Sequence, residues 1–249
     1  KNIELKDKEK QLLSINEQLM HSNNQKNKFF SIIAHDLKNP FNSLIGLSDM
    51  LIQEKESMNN DDFDKYLSIL NDTSKNSYQL LDNLLKWSQT EMNSIAFNPT
   101  SIDINPIIHN NIQLAQASIQ KKQLNIINII PYETNVYADM NMLDTIIRNL
   151  LSNAIKYSNI GGIIEISSEN NLDNYTISVS DFGVGMSLEQ IEKLFNIDNQ
   201  KSTLGTLKER GTGLGLMLCK EFIEKHKGRI WIKSEINKGS EFKFTLPKK

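Results

Sequence analysis

His35 is followed directly by Asp36 and, four residues on, by Asn39 and Pro40, inside the apolar-rich run Phe29-Phe30-Ser31-Ile32-Ile33-Ala34-His35-Asp36-Leu37-Lys38-Asn39-Pro40-Phe41. Read as a helix at about 100° per residue, this run puts Phe30, Ile33, Leu37, Phe41, Leu44, Leu47 and Leu51 on one stripe and His35 on the opposite side. An imidazole is thereby held out to solvent on a rigid rod. Asp36 could accept from Nδ1–H and fix the tautomer that leaves a lone pair on Nε2. Asn39 shares the histidine's face, and Pro40 removes a backbone donor and is expected to bend the helix. A lone exposed histidine is more often inert; its neighbours and the residues downstream set this one apart.

More than a hundred residues later the chain carries groups suited to a nucleotide. Asn149 and Asn153 are one turn apart on a helical pattern, and a carboxamide oxygen is a hard, neutral ligand for Mg²⁺ already partly neutralised by phosphate. As an isolated pair they could equally be caps or solvent-facing residues. Asp181-Phe182-Gly183-Val184-Gly185 ends a strand pattern; the carboxylate could accept from an adenine amino group, and the glycines permit close approach and positive φ. Alone, that run is a common turn. Gly211-Thr212-Gly213-Leu214-Gly215-Leu216 runs into a helix start, where consecutive N–H groups and the dipole favour phosphate. It is neither a Walker loop, since no Gly-Lys-Ser/Thr follows, nor a dinucleotide fingerprint, which needs a preceding strand and other spacing.

The His35-Asp36-x-x-Asn39-Pro40 run resembles the H-box of sensor histidine kinases. Asn149 through Lys156 and Tyr157, Asp181 to Gly185, Gly211 to Gly215, and Gly239-Ser240 are similar to the N, G1, G2 and G3 boxes of the GHKL (Bergerat) ATP-binding domain. The five motifs occur in order, and the resemblance spans about residues 10 to 247. It implies His35 as phosphoacceptor with Asp36 orienting it, Asn39 serving dephosphorylation of a partner, Asn153 as the Mg²⁺ ligand, and ATP held by the four boxes. In the box residues it implies nucleotide contacts from Asn149, Asn153, Lys156 and Tyr157; from Asp181, Gly183 and Gly185; and from Gly211, Thr212, Gly213, Leu214 and Gly215. Between Phe195 and Gly211 it implies a mobile ATP lid whose Lys201, Lys208 and Arg210 meet phosphates, each of which could also be an ordinary solvated charge. The F-box departs from the family pattern, its aromatic pair being reduced to Phe195.

The elements that must position these groups fall into two kinds. Residues 1 to 28 are polar, with Leu5, Leu12 and Leu19 seven apart and Ile15 between the last two, a heptad seam that predicts a parallel coiled coil; a solvated amphipathic helix is the alternative. After a polar break at about Lys55 to Asp61, with Asp61 or Asp62 as cap, a second helix carries two rows, Phe63, Leu70, Ser77, Leu84 and Leu67, Ser74, Leu81, Ser88. Two helices whose apolar stripes are each too wide for one neighbour predict a homodimeric four-helix bundle over residues 29–93. The period lapses from Asn93 to Pro106, and residues 94–249 form the second domain. Asn105-Pro106 predicts the N-cap and N1 of a helix through Lys121; Leu124 to Ile130 a buried strand; Val136 to Asp139 a short strand; Met140 to Tyr157 a helix. Ile163 to Ser168 and Tyr175 to Val179 read as antiparallel strands, Ser187 as cap of a helix through Leu194, and Gly213 to Lys227 as a helix stopped by Gly228 at C′. Arg229 to Ser234 with Glu241 to Leu246 closes as a hairpin. The fold class expected is α+β multidomain, with a mixed sheet and helices on one face.

The 249 residues are 39% hydrophobic and 23% charged with a formal charge of −2, so no basic field argues for nucleic acid or anionic lipid. One cysteine, Cys219, excludes an internal disulfide and a cysteine-built metal site and suits a reducing compartment. No run approaches the ~20 apolar residues of a membrane span. The chain opens on Lys1 and is expected to be a cytoplasmic piece of a longer protein, one that could be anchored in the inner membrane and carry an upstream sensor. The activity expected from the resemblance is ATP-dependent autophosphorylation of His35 and transfer to an aspartate of a response-regulator receiver domain. The alternatives are a GHKL ATPase clamp, which would need a glutamate where Asn149 stands, and a non-catalytic dimeric scaffold, which would need decayed motifs.

Overall fold

The computed structural model describes residues 37–55, 57–91, 96–194, 205–207 and 215–248, with six helical positions before residue 21 (Lys8, Leu12, Leu13, Ile15, Asn16 and Met20). Leu5 and Leu19 of the heptad seam, His35, Asp36 and Phe195 lie outside the described residues. The chain divides into two compact units, Lys1–Leu84 and Leu85–Lys249. No described helix is long and apolar enough to cross a membrane.

In the first unit residues 37–53 (α1) are helical straight through Pro40. A turn follows, and α2 (Asn60–Glu91) begins. Its cap is Asn59 rather than Asp61 or Asp62: the Asn59 carboxamide accepts from Asp62 N–H at 2.8 Å and donates to the Asp62 carboxylate at 2.9 Å. Asparagine supplies both donor and acceptor, so it closes a reciprocal box that an aspartate could not. Along α2, Phe63, Tyr66, Leu70, Thr73, Ser77, Leu80 and Leu84 are covered, spaced alternately three and four. The row of Phe63, Leu70, Ser77 and Leu84 is therefore the inward one. Its companion row is not, since Leu67 is 42% and Leu81 51% exposed. Ser77 is buried with its hydroxyl donating to Thr73 O at 2.7 Å, which is how a polar side chain survives in the seam.

The second unit is built on a five-stranded sheet in the order β2-β4-β5-β7-β6, with a two-stranded ribbon β1-β3 beside it. The strands are β1 (Thr100–Asp103), β2 (Asn125–Asn128), β3 (Asn135–Ala138), β4 (Ile163–Asn170), β5 (Asn174–Asp181), β6 (Ile230–Glu235) and β7 (Gly239–Pro247). The helices are α3 (Ile104–Leu114), α4 (Gln116–Lys121), α5 (Met140–Tyr157), α6 (Leu188–Lys193) and α7 (Gly215–Lys225). Among the described strands only the β2–β4 pairing is parallel.

Register sets the two faces. Ile166 pairs with Val179 and Val179 with Phe242, while Ile177 pairs with Phe244; these side chains are all buried, with α5 against β5 and α7 against β7. The opposite face is polar, with Lys243 between Glu169 and Glu241 at 3.2 and 3.0 Å. Helices on one face of a mixed sheet is the architecture the alternation predicts.

Several elements differ from expectation. The helix after β1 is capped by Asp103, whose side chain accepts from Asn105 N–H, so Pro106 falls at the third helical position, where its missing N–H has no intrahelical partner in any case. Asn105 instead ties the β2–β3 connection, donating to Pro131 O at 2.9 Å and accepting from Asn128. That helix breaks at Ala115 into α3 and α4. The strand at Leu124 to Ile130 is an exposed edge: only its flanks Leu124 and Ile130 are buried. At the end of α7 Lys227, not Gly228, takes the left-handed conformation, φ 59°. Lys227 N–H bonds Glu224 O and Gly228 N–H bonds Ile223 O, a Schellman closure shifted by one residue. Gly228 is required for a different reason, since a Cβ there would run into Thr245 O.

Candidate functional site

The site is assembled on α5. Its N-terminus is capped by Asp139, whose Oδ1 accepts from Asn141 and Met142 N–H at 3.0 and 3.1 Å. The other oxygen accepts from Asn98 N–H at 3.1 Å. Asp139 N–H in turn donates to His226 Nε2 at 2.9 Å, and His226 Nδ1 donates to Phe222 O at 2.6 Å. Both imidazole nitrogens are thus used by a neutral ring, and burial pulls the His226 pKa below its ordinary value.

At the other end every carbonyl of the last turn that lacks an intrahelical donor finds one elsewhere. Ala154 O accepts from the Ser158 N–H and hydroxyl at 3.0 and 2.7 Å. Ile155 O and Lys156 O accept from Lys122 Nζ at 2.8 and 2.7 Å, and Lys156 O also takes Thr206 N–H at 3.1 Å. Tyr157 O accepts from Val184 N–H at 3.2 Å. The end of α5 is therefore where the turn at Lys122, the loop after β5 and the segment at Thr206 meet.

Asn149 and Asn153 lie half-buried on one face of this helix. Asn149 Nδ2 donates back to Thr145 O at 2.9 Å, which leaves Oδ1 facing α7: a Cβ built on Gly215 would sit 2.5 Å from it. No described residue hydrogen-bonds the Asn153 carboxamide. Lys156 Nζ donates to Tyr157 Oη at 2.8 Å.

Asp181, the last residue of β5, is 5% exposed. Desolvation raises its pKa to about 6 against the lowering effect of backbone N–H bonds from Gly183 and Ser240. The glycines around it serve the chain's own backbone. A Cβ on Gly183 would strike Tyr157 O, one on Gly239 would strike Asp181 O, and one on Gly185, at φ +64°, would strike Glu235 O. Only Gly185 and Gly239 of these need positive φ.

The structure thus brings Asn149, Asn153, Lys156 and Tyr157 on α5 together with the Asp181–Gly185 loop and Gly215. Asn39 lies on α1 in the first unit. Its residues His35 and Asp36, and in the second unit Lys201, Lys208, Arg210, Gly211, Thr212, Gly213 and Leu214, lie outside the described residues. Two contributors carried no signal in the sequence, Lys122 and Thr206, each of which acts through groups distant in the chain. Among the described residues no group of three or more His, Cys, Asp or Glu side chains could hold a metal.

Comparison with known proteins finds relatives for both parts of the chain. Residues 25–93 match the His Kinase A (phospho-acceptor) domain and residues 138–249 the histidine kinase-, DNA gyrase B- and HSP90-like ATPase family. The adaptive-response sensory kinase SasA of Thermosynechococcus vestitus is 28% identical over 253 residues, which is 98% of this chain and 65% of that protein. Cyanobacterial phytochrome A of Nostoc is 29% identical over 238 residues, 95% of this chain and 30% of its own length. The crystal structure of histidine kinase ThkA in complex with response regulator protein TrrA shares the fold, with a TM-score of 0.66 at 23% identity over 88% of this chain and 61% of that one. The chain belongs to the sensor histidine kinases and comprises their kinase core. It spans less than two thirds of the length of these curated relatives.

Proposed function

We propose that this chain phosphorylates itself on His35 at the expense of ATP and passes the phosphoryl group to an aspartate on a response regulator. The observation that carries this is the convergence on one helix, α5, of Asn149, Asn153 and Lys156 with the buried Asp181 and with Gly215. These residues fit ATP and Mg²⁺. A buried carboxylate at Asp181 suits an adenine amino donor, and Asn153 offers a carboxamide oxygen to which no described residue donates. Bound ATP with Mg²⁺ supplies the γ-phosphoryl group and neutralises its charge.

The chain's own residues do the rest. Asp36 accepts the Nδ1 proton of His35, so that Nε2 presents its lone pair. The Nε2–P bond forms as the bond from Pγ to the ADP oxygen breaks, and the imidazolium proton on Nδ1 is held by Asp36. With the nucleotide bound, Asn153 would hold Mg²⁺, Lys156, Lys208 and Arg210 would meet phosphate, and Gly211 to Gly215 would offer N–H groups to it. Asn149 cannot act as a base, which disfavours water activation and the ATPase-clamp alternative.

Residues 29–93 act as dimerisation and phosphotransfer domain and 94–249 as ATP-binding domain, with 1–28 a coiled coil delivering a signal from a sensor. Exposure of Leu67 and Leu81 on α2, and of Phe41, Ile45 and Ile52 on α1, supports a homodimer whose partner covers them. The ThkA complex with TrrA supports a receiver domain as the phosphoryl acceptor here too.

The test is labelling with γ-phosphate-labelled ATP. The wild type is expected to gain an acid-labile, base-stable label that His35→Gln abolishes with nucleotide affinity unchanged and that Asn153→Ala removes together with its Mg²⁺ dependence. Stoichiometric label on His35→Gln would overturn the assignment.

A further inference from the structure

Lys122 is 2% exposed, and lysine is almost never so deeply buried unless every donor is matched. Its terminal nitrogen donates to Ile155 O, Lys156 O and Thr206 Oγ1 at 2.8, 2.7 and 2.7 Å. The first two acceptors are at the negative end of the α5 dipole, where a cation is stabilised. The third is a hydroxyl that passes its own proton to Ser158 O at 2.8 Å. One nitrogen therefore joins the α4–β2 turn, the end of α5 and Thr206.

We propose that the Lys122–Thr206 clamp is a positioning device for the phosphate side of the nucleotide site, a reading that rests on the ATP-binding function above. Lys156 is the cation whose backbone the clamp grips, since its carbonyl accepts from both Lys122 Nζ and Thr206 N–H. That carbonyl belongs to the same residue, so the clamp holds the stretch of backbone from which the Lys156 side chain leaves α5. Asp181, on the adenine side, is held by Gly183 and Ser240 and bonds neither clamp residue. The clamp thus grips the residue assigned to phosphate and makes no bond to the carboxylate assigned to the base.

The test uses the full chain and two probes, ATP with Mg²⁺ and adenosine. Lys122→Met strips two helix-end carbonyls and is expected to lower Tm, so the Thr206 variants carry the decision. Thr206→Val removes the hydroxyl at constant volume. It removes the bond accepted from Lys122 and the one given to Ser158 O, and should weaken ATP binding about three- to tenfold, a fraction of what two net hydrogen bonds are worth, and leave adenosine affinity unchanged, with Thr206→Ser restoring the wild-type value. Unchanged ATP affinity in Thr206→Val, or an equal loss for ATP and adenosine, overturns the clamp as a phosphate-side device. If the wild type itself binds no ATP, the proposed function falls first and the clamp with it.

Discussion

Gly215 abuts Asn149 so closely that a methyl group on the glycine would lie 2.5 Å from the carboxamide oxygen. This contact joins the first residue of α7 to the helix that carries both asparagines, and it makes the glycine's requirement steric. Gly215→Ala should push Asn149 off its Thr145 bond and cost about 1–3 kcal/mol as local overpacking. Removing the obstacle in Asn149→Ala/Gly215→Ala should recover part of that loss. Denaturant unfolding of the four proteins of the cycle measures the coupling; strict additivity would show that the two residues do not meet.

Asp181 is predicted to trade stability for binding. Its carboxyl has a folded pKa raised from 3.8 to about 6, so ionisation is disfavoured in the folded state. The associated stability is fully present below 3.8 and is lost as pH rises through about 6. Asp181→Asn keeps an acceptor for the Gly183 N–H without the charge, and should therefore raise Tm of the nucleotide-free protein at pH 8. The same change should weaken ADP. Wild-type ADP affinity should fall by up to about tenfold per pH unit below 6 as the carboxyl protonates, and the variant should lose that dependence. Calorimetric titration from pH 5 to 8 checks both halves.

Much of this site was legible because its signals are local. The apolar period and the amide pair of α5, the Ser187 cap with Gln190, and the carboxylate at the end of β5 each lie within one element. What was hidden depends on partners far along the chain. Lys122 sits in the polar run Gln120-Lys121-Lys122-Gln123, yet its acceptors are 33, 34 and 84 residues away. Asp103 was hidden as a cap by Asn105-Pro106, a pair with the right chemistry two residues too late. The hydrophobic run in β2 looked buried because apolar content does not tell an edge strand from a central one. The glycines at 183, 185 and 239 read as room for a ligand, and it is the chain's own carbonyls that occupy the room.

Asn39 is exposed on α1, and its carbonyl accepts from the Ser43 hydroxyl at 3.1 Å. A neutral amide four residues after His35 in the sequence can position water against a phosphoaspartate without repelling it. Asn39→Ala should retain most autophosphorylation while slowing dephosphorylation of a phosphorylated regulator at least severalfold. Parallel assays of the two activities distinguish this from a defect in the helix, which would reduce both together.

The His226–Asp139 bond makes the second unit acid-sensitive in a defined window. The ring is neutral, with Nδ1–H given to Phe222 O and Nε2 receiving Asp139 N–H; a proton on Nε2 would turn an acceptor into a donor facing a donor. Burial lowers the folded pKa below 6.5, against the weaker raising effects of Phe222 O and the Asp139 carboxylate. The unfolded chain therefore binds the proton first, so stability is complete above about 6.5 and declines as pH falls from there toward the folded pKa. Asp181 acts in the opposite direction over much of the same range, so the informative quantity is a difference between proteins. Wild type minus His226→Gln, followed by unfolding free energy from pH 8 to 5, should fall as pH drops below 6.5, because glutamine has no proton to gain. The loss should reach the N-terminus of α5, where Asp139 caps the helix and holds Asn98, and appear as faster amide exchange at Asn141 and Met142. A flat difference would mean that the imidazole titrates in the folded protein as it does in the unfolded chain.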